Sequence, residues 1–353
     1  MSNKDQPNPI PSSPISPPQT ILGHQKRKNA LKLGPRKKVC IGNPLVHRGC
    51  HFGRMVHALC NINALITNSI LQLGELADEP EESFTAEEQQ EHQIFSLLLI
   101  TIPSLEEHLM TSSLEEIRFI GELIQKGVSC ARSDDTKSLK SAIIDWIAPP
   151  GQSISPTISQ NVKRDHGFYH KIMGSLLCPA GLNWSDEETK KSLRDSECTI
   201  AGDQWPLLLY KDSTYDPKNP WHGSFKHIFT SPSSAKKEAK ATQSGNAHIH
   251  GMACVTNGSL AYAATQARFA LTSCPTFTRS DTVTDLERFY NSVLDFLEDP
   301  DEQEEVKSLM VWWNRQIFPS SLSGRCPITN GSALAKMQEK RVVLKVLAQN
   351  REA

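Results

Sequence analysis

The residues in this chain whose types suit metal or acid–base chemistry are scattered rather than clustered. His248 and His250 precede Cys254, and His166 and His170 precede Cys178. A structural zinc needs four Cys or His ligands in a tetrahedron, usually delivered as closely spaced pairs. None of these spacings reproduces a finger-type pair, and Cys40, Cys50, His51 and Cys60 could join such a site only through folding. His166, His170, His248, His250 and Cys254 are therefore weak metal candidates, and surface histidines with buried thiols are the plainer expectation. The carboxylates Asp145, Asp165, Asp203 and Glu287 would have to converge to support two-metal hydrolysis. That chemistry normally rests on a strand-rich core, and strand patterns are scarce here. The chain has no phosphate-binding GxxxxGK loop, no GxGxxG, no HExxH and no GxSxG. No catalytic residue and no cofactor is expected.

The strongest functional lead is electrostatic. The clusters Lys26–Arg27–Lys28 and Arg36–Lys37–Lys38 lie in a stretch rich in Pro, Ser, Asn and Gln. Residues 1–40 add Lys4 and Lys32 and hold only Asp5 as an acid, a net charge of +7, whereas the whole chain stands at −1. A basic arm ahead of a mildly acidic body suits nuclear import or weak, salt-dependent contact with a phosphate backbone. A solvated tail is the simpler alternative. Ser13–Pro14 and Ser16–Pro17 sit beside these clusters, and phosphorylation there would oppose either role.

The elements behind these residues read as helices. Residues 1–45 cannot bury enough apolar surface to offset their ordering entropy and are expected to be disordered. Phe52, Met55, Leu59, Ile62, Ile66, Ile70 and Leu73 recur at helical spacing along one face. Thr85 with Glu88, Ser104 with Glu107 and Ser113 with Glu116 repeat the capping-box start signal. The helix from Ser113 is expected to bury Leu114, Ile117, Ile120, Leu123, Ile124 and Val128. A separate short helix carries Leu139, Ile143, Ile144 and Trp146 and ends at Pro149–Pro150. Beyond a Pro/Ser linker at 149–166, a capped helix starts at Ser185 with Glu188. Trp205–Tyr210 reads as strand or short helix. Leu260–Leu271 is Ala-rich, and Leu286–Phe296 has an amphipathic face. Asp299–Pro300–Asp301–Glu302 starts a helix that carries Val306, Leu309, Trp313 and Ile317. A mixed basic and apolar helix is expected at 333–349. The fold class is thus an all-α, irregular multi-helix array with a disordered basic N-terminal arm. Its regions are 1–45 (arm), 46–148 (helical), 149–166 (linker), 167–320 (helical) and 321–353 (C-terminal helix).

Several blocks occur in order: Gly167–Phe168, Leu176–Leu177–Cys178–Pro179–Ala180, Trp184 with Asp186, Trp205–Pro206, Tyr215–Asp216, residues 225–235, Arg268–Phe269–Ala270–Leu271, Phe289–Tyr290, Asp295–Phe296 and Trp312–Trp313–Asn314. Together they resemble a domain-of-unknown-function family that is expanded in mushroom-forming fungi. The resemblance spans about Gly167–Phe318 and implies helical structure; it brings no activity or catalytic residues. Relatives usually carry several more apolar residues where this chain has only Gly223–Ser224–Phe225.

These readings give a leading expectation of a non-enzymatic nuclear interaction protein, associated with chromatin or nucleic acid through the arm. The alternatives are a metal-dependent nuclease or transposase-like enzyme derived from a mobile element, and a degenerate family copy. Nine dispersed cysteines without a CxxC pair, no secretory leader and no apolar run of about 20 residues point to a soluble nuclear or cytoplasmic chain without a membrane partner.

Overall fold

The computed structural model describes residues 43–75, 84–149, 152–159, 162–198, 200–226, 252–278, 285–318 and Lys340. These fall within one compact unit, Gly42–Ala353. Among the described residues there are ten α-helices and no strand. In chain order they are α1 (Pro44–Met55), α2 (Ile62–Glu75), α3 (Ala86–Thr101), α4 (Leu105–Thr111), α5 (Leu114–Ile147), α6 (Lys171–Leu177), α7 (Glu187–Arg194), α8 (Asn257–Leu271), α9 (Leu286–Glu298) and α10 (Gln303–Ile317). Among the described residues, only the isolated bridges Pro179–Pro206 and Tyr210–Ser224 pair extended backbone, and Leu207–Leu209 is a 3-10 turn. The all-α reading therefore holds. Residues 1–42 of the arm and the helix expected at 333–349 lie outside the described residues, Lys340 excepted; the arm's expected end at residue 45 is corrected, because Asn43 caps α1 and Pro44 begins it.

Local signals set several helix starts. Thr85 and Ser113 each accept the amide three residues on, and Glu88 and Glu116 bond back to the cap amides. Ser104 does not follow the pattern. Its φ is +65° and its hydroxyl caps nothing, because α4 follows α3 through a tight corner rather than a normal entry. Asp186, one residue after the expected Ser185, caps α7 through Thr189. Asp299 caps the turn that leads into α10.

Two expectations about helix extent are corrected. The periodic run from Phe52 to Leu73 is broken at residues 56–61. There the His57 ring nitrogen Nδ1 accepts the amides of Leu59 and Cys60, at 3.3 and 3.0 Å. The Tyr290 hydroxyl accepts the Ala58 amide, and Arg132 donates to the Ala58 carbonyl. Remote side chains thus satisfy the backbone groups that the break exposes. Conversely, residues 114–147 form one helix of 34 residues rather than two. Leu114, expected in the core, is exposed, and Ile124 and Val128 are buried.

Helix α5 joins two apolar clusters. Its first half packs Ile124 and Val128 against Phe52, Ile62, Phe95 and Leu98. Its second half contributes Ile143 to a larger cluster with α6, α8, α9 and α10, centred on Phe289, Tyr290 and Leu208. The α1–α5 crossing is tight. A Cβ added at Gly49 would lie 2.2 Å from the Ile124 carbonyl oxygen, and one at Gly127 would lie 2.2 Å from that of Val46. Only glycine lets the two backbones approach this closely. At the same seam Arg54 grips Asp135 with two bonds, 2.7 and 3.0 Å, and the Tyr262 hydroxyl donates to the same carboxylate at 3.0 Å.

Candidate functional site

Two of the histidines singled out in the sequence have structural roles. His170 is the N-cap of α6, and its Nδ1 accepts the amides of Ile172 and Met173 at 3.2 and 3.3 Å. Nδ1 must then be unprotonated, so in the neutral ring the proton sits on Nε2. His166 Nε2 lies 3.0 Å from the Ser159 carbonyl. Burial lowers the pKa of both rings and keeps them neutral. Cys178 is buried, and its thiol is pushed up to about 11 by desolvation, the opposite of a reactive or ligating cysteine. Cys254 is exposed. Among the described residues, no three His, Cys, Asp or Glu side chains gather as a metal site would require. Lys26, Arg27, Lys28, Arg36, Lys37, Lys38, His248 and His250 lie outside the described residues.

Lys163 is a buried lysine that sequence reasoning passed over. Its ammonium donates to the Phe269 carbonyl in the last turn of α8, at 2.5 Å, and sits 3.9 Å from the centre of the Phe269 ring. Burial, with Lys140 nearby, lowers its pKa to about 7. A cation at a helix C-terminus is a capping arrangement.

The structure brings together two of the four carboxylates considered above. Asp203 and Glu287 line a shallow groove of about 530 Å³ with Asp285, Arg288, Asn291, Ser292 and Asp295. Arg288 sits 3.2 Å from Asp203 and offsets its charge. Asp145 and Asp165 are not part of the groove.

The better-formed concavity lies between α9, α10 and the loop that ends at Gly223. Its volume is about 280 Å³, room for one or two large side chains. It is assembled from the loop outward. Gly223 adopts φ +74°, a left-handed conformation that suits glycine, and its carbonyl accepts the Lys211 amide at 2.8 Å. This turn presents Trp221, half exposed, whose indole N–H donates to Glu302 at 2.5 Å. Two residues after Gly223 the chain enters the core. Phe225 is buried and stacks on Phe296 at 5.9 Å, and the ring of Trp205 meets both edge-on at 5.2 Å. The Phe225 carbonyl accepts the Trp313 indole N–H at 3.1 Å. The short Gly223–Phe225 junction is thus closed by packing. Phe296 and the buried Val306 and Leu309 supply the apolar floor. Ser224, Lys226, Glu304, Glu305 and Ser308 form a polar rim. An apolar floor inside a polar rim is how a protein surface anchors a partner's side chain. Trp221 was missed from sequence; the only signal was a lone tryptophan in a polar, Pro- and Asn-rich loop.

No single helix among the described residues is long and apolar enough to cross a membrane. No curated protein and no solved structure matches the chain. A family model described as a family of unknown function, DUF6698, matches residues 126–318, just over half of the 353 residues. The match starts inside α5, upstream of the Gly167 boundary read from sequence, and takes in Asp135, Tyr262 and every residue of the groove. The chain belongs to that family.

Proposed function

We propose that this chain is a non-enzymatic interaction protein that anchors a partner's side chains in the α9–α10 groove. One observation carries the reading: an apolar floor of Phe296, Val306 and Leu309 set inside a polar rim, with Trp221 pinned at its mouth by Glu302. Further support comes from buried ionisable groups that are engaged in capping or in tying helices together. Asp135 holds Arg54 and Tyr262, and His170 caps α6. The basic residues Lys26–Lys28 and Arg36–Lys38 make this a nuclear protein in the proposal, in contact with chromatin or nucleic acid.

The test uses the full chain. Ser308, exposed on the rim, is replaced by Trp to fill the groove, and partners are compared by proximity labelling in cells. Loss of a defined partner set at unchanged thermal stability supports the reading; identical sets overturn it. Deleting residues 1–45 should move a tagged chain from nucleus to cytoplasm. A cytoplasmic signal from both constructs overturns the nuclear part.

A second reading, a metal-dependent nuclease, draws on the shared groove of Asp203 and Glu287. It requires cleavage of DNA by the purified chain with Mg²⁺ or Mn²⁺, abolished in Asp203→Asn. The absence of any metal-dependent product removes it.

A further inference from the structure

Large apolar side chains on the described surface are mostly scattered, with one exception. Five of the twelve exposed ones fall in the consecutive segment 97–119: Leu97, Ile100, Met110, Leu114 and Phe119. Ile100, Met110 and Leu114 are 76, 79 and 85% exposed, nearly the values of a free side chain. They sit where α3, α4 and the start of α5 meet, and α3 and α4 turn through 107°. A concentration of exposed apolar side chains marks an interaction surface.

The surrounding charges select the occupant. Within residues 97–119, Glu106, Glu107, Glu115 and Glu116 are exposed, against Arg118 alone. An anionic lipid surface would be repelled, and a cationic amphipathic helix would be attracted. The chain carries such a segment. Residues 333–349 hold Lys336, Lys340, Arg341 and Lys345 against Glu339. Leu334, Met337, Leu344 and Leu347 recur there at helical spacing. The reach is sufficient. Gln90, in the second turn of α3, bonds the Asp295 carboxyl of α9, and α10 packs on α9, so the end of α10 and the corner belong to adjoining elements. Ile100 lies about 15 Å along α3 from Gln90. Residues 319–332 can span about 50 Å when extended.

We infer that residues 333–349 dock, within the same chain, onto the acidic-rimmed apolar corner formed by α3, α4 and the first turns of α5. The segment covers Met110, Leu114 and Phe119 and places its lysines and arginine among the glutamates. This surface is separate from the α9–α10 groove, and its test does not depend on that groove having a partner.

The experiment is photo-crosslinking in the full chain, with benzoylphenylalanine in place of Phe119 and equal parts of light- and heavy-isotope protein. Crosslinked peptides should map to 333–349 and pair light with light and heavy with heavy. Reversal of Lys336, Lys340, Arg341 and Lys345 to Glu should cut that yield about tenfold, the scale of several exposed charge pairs acting together. Adding Glu106→Lys, Glu107→Lys and Glu115→Lys to that variant should restore it. Crosslinks from corner to corner, crosslinks that mix isotopes, or a yield insensitive to charge reversal overturn the inference.

Discussion

The two halves of the described body reach stability by different means. Around α1–α5, as around α6–α9, local side chains cap most helix starts, but here two backbones cross so closely that glycine is required at Gly49 and Gly127. Around α6–α10 no helix exceeds 15 residues, and loops do much of the packing. Phe225, Trp205 and Phe296 interlock, and α8 is buried on nearly all sides. The first half has an apolar corner that the other described residues leave uncovered, and the second has a groove. Close helix crossings make smooth joints, whereas loops packed on aromatic rings leave concavities. The groove accordingly lies in the loop-built half, inside the segment that matches the family.

The seam between the halves is where this contrast breaks most sharply. Asp135→Ala leaves the buried Arg54 guanidinium without its carboxylate and should cost about 3–5 kcal/mol in denaturant unfolding. If the two halves were independent, only one unfolding transition would move. A shift of the whole curve would show that α5 couples them. Gly127→Ala pushes a methyl into the Val46 carbonyl and should cost about 1–3 kcal/mol. Faster hydrogen exchange in α1 than in α9 would confine that damage to the first half. Thr256→Ala removes both the α8 cap and the hydroxyl that donates to the Met55 carbonyl, for about 1 kcal/mol by thermal melting.

Lys163 gives a pH handle specific to the second half. Its pKa of about 7 in the folded chain lies below the ordinary lysine value of 10.5. Between these values the unfolded chain binds the extra proton, so this group makes stability rise with pH above about 7; below 7 both states are charged and it adds no slope. Lys163→Met should flatten that rise in melts taken from pH 7 to 10. The smallest expected effect is Ser308→Trp at the exposed groove rim, within about 0.5 kcal/mol. A larger loss would mean that the rim carries part of the core.

Much of the local structure was legible in the sequence because its causes lie within four residues. Thr85–Glu88, Ser113–Glu116 and Asp299–Pro300 announced their helix starts, and the all-α class followed from helical spacing of apolar residues. Ser104–Glu107 had the same letters and failed, because a bend between two packed helices put Ser104 at positive φ. The candidate site was not legible. Trp221 lies 75 residues before Phe296, and Leu309 lies 13 after it on the next helix; only their packing makes a groove.

What the sequence determined by itself was periodicity, capping and charge distribution, all properties of near neighbours along the chain. Tertiary structure decided where periodicity must yield. It broke the run from Phe52 to Leu73 at Ala58, whose amide and carbonyl are satisfied by Tyr290 and Arg132. It also carried α5 unbroken through the polar stretch at Asp134–Asp135–Thr136. Arg54 and Tyr262, from α1 and α8, bond Asp135, and Gln266 accepts from Thr136 at 2.8 Å. The physical reason is the same in both places. A buried polar group must find a partner, and here the partners come from distant parts of the chain.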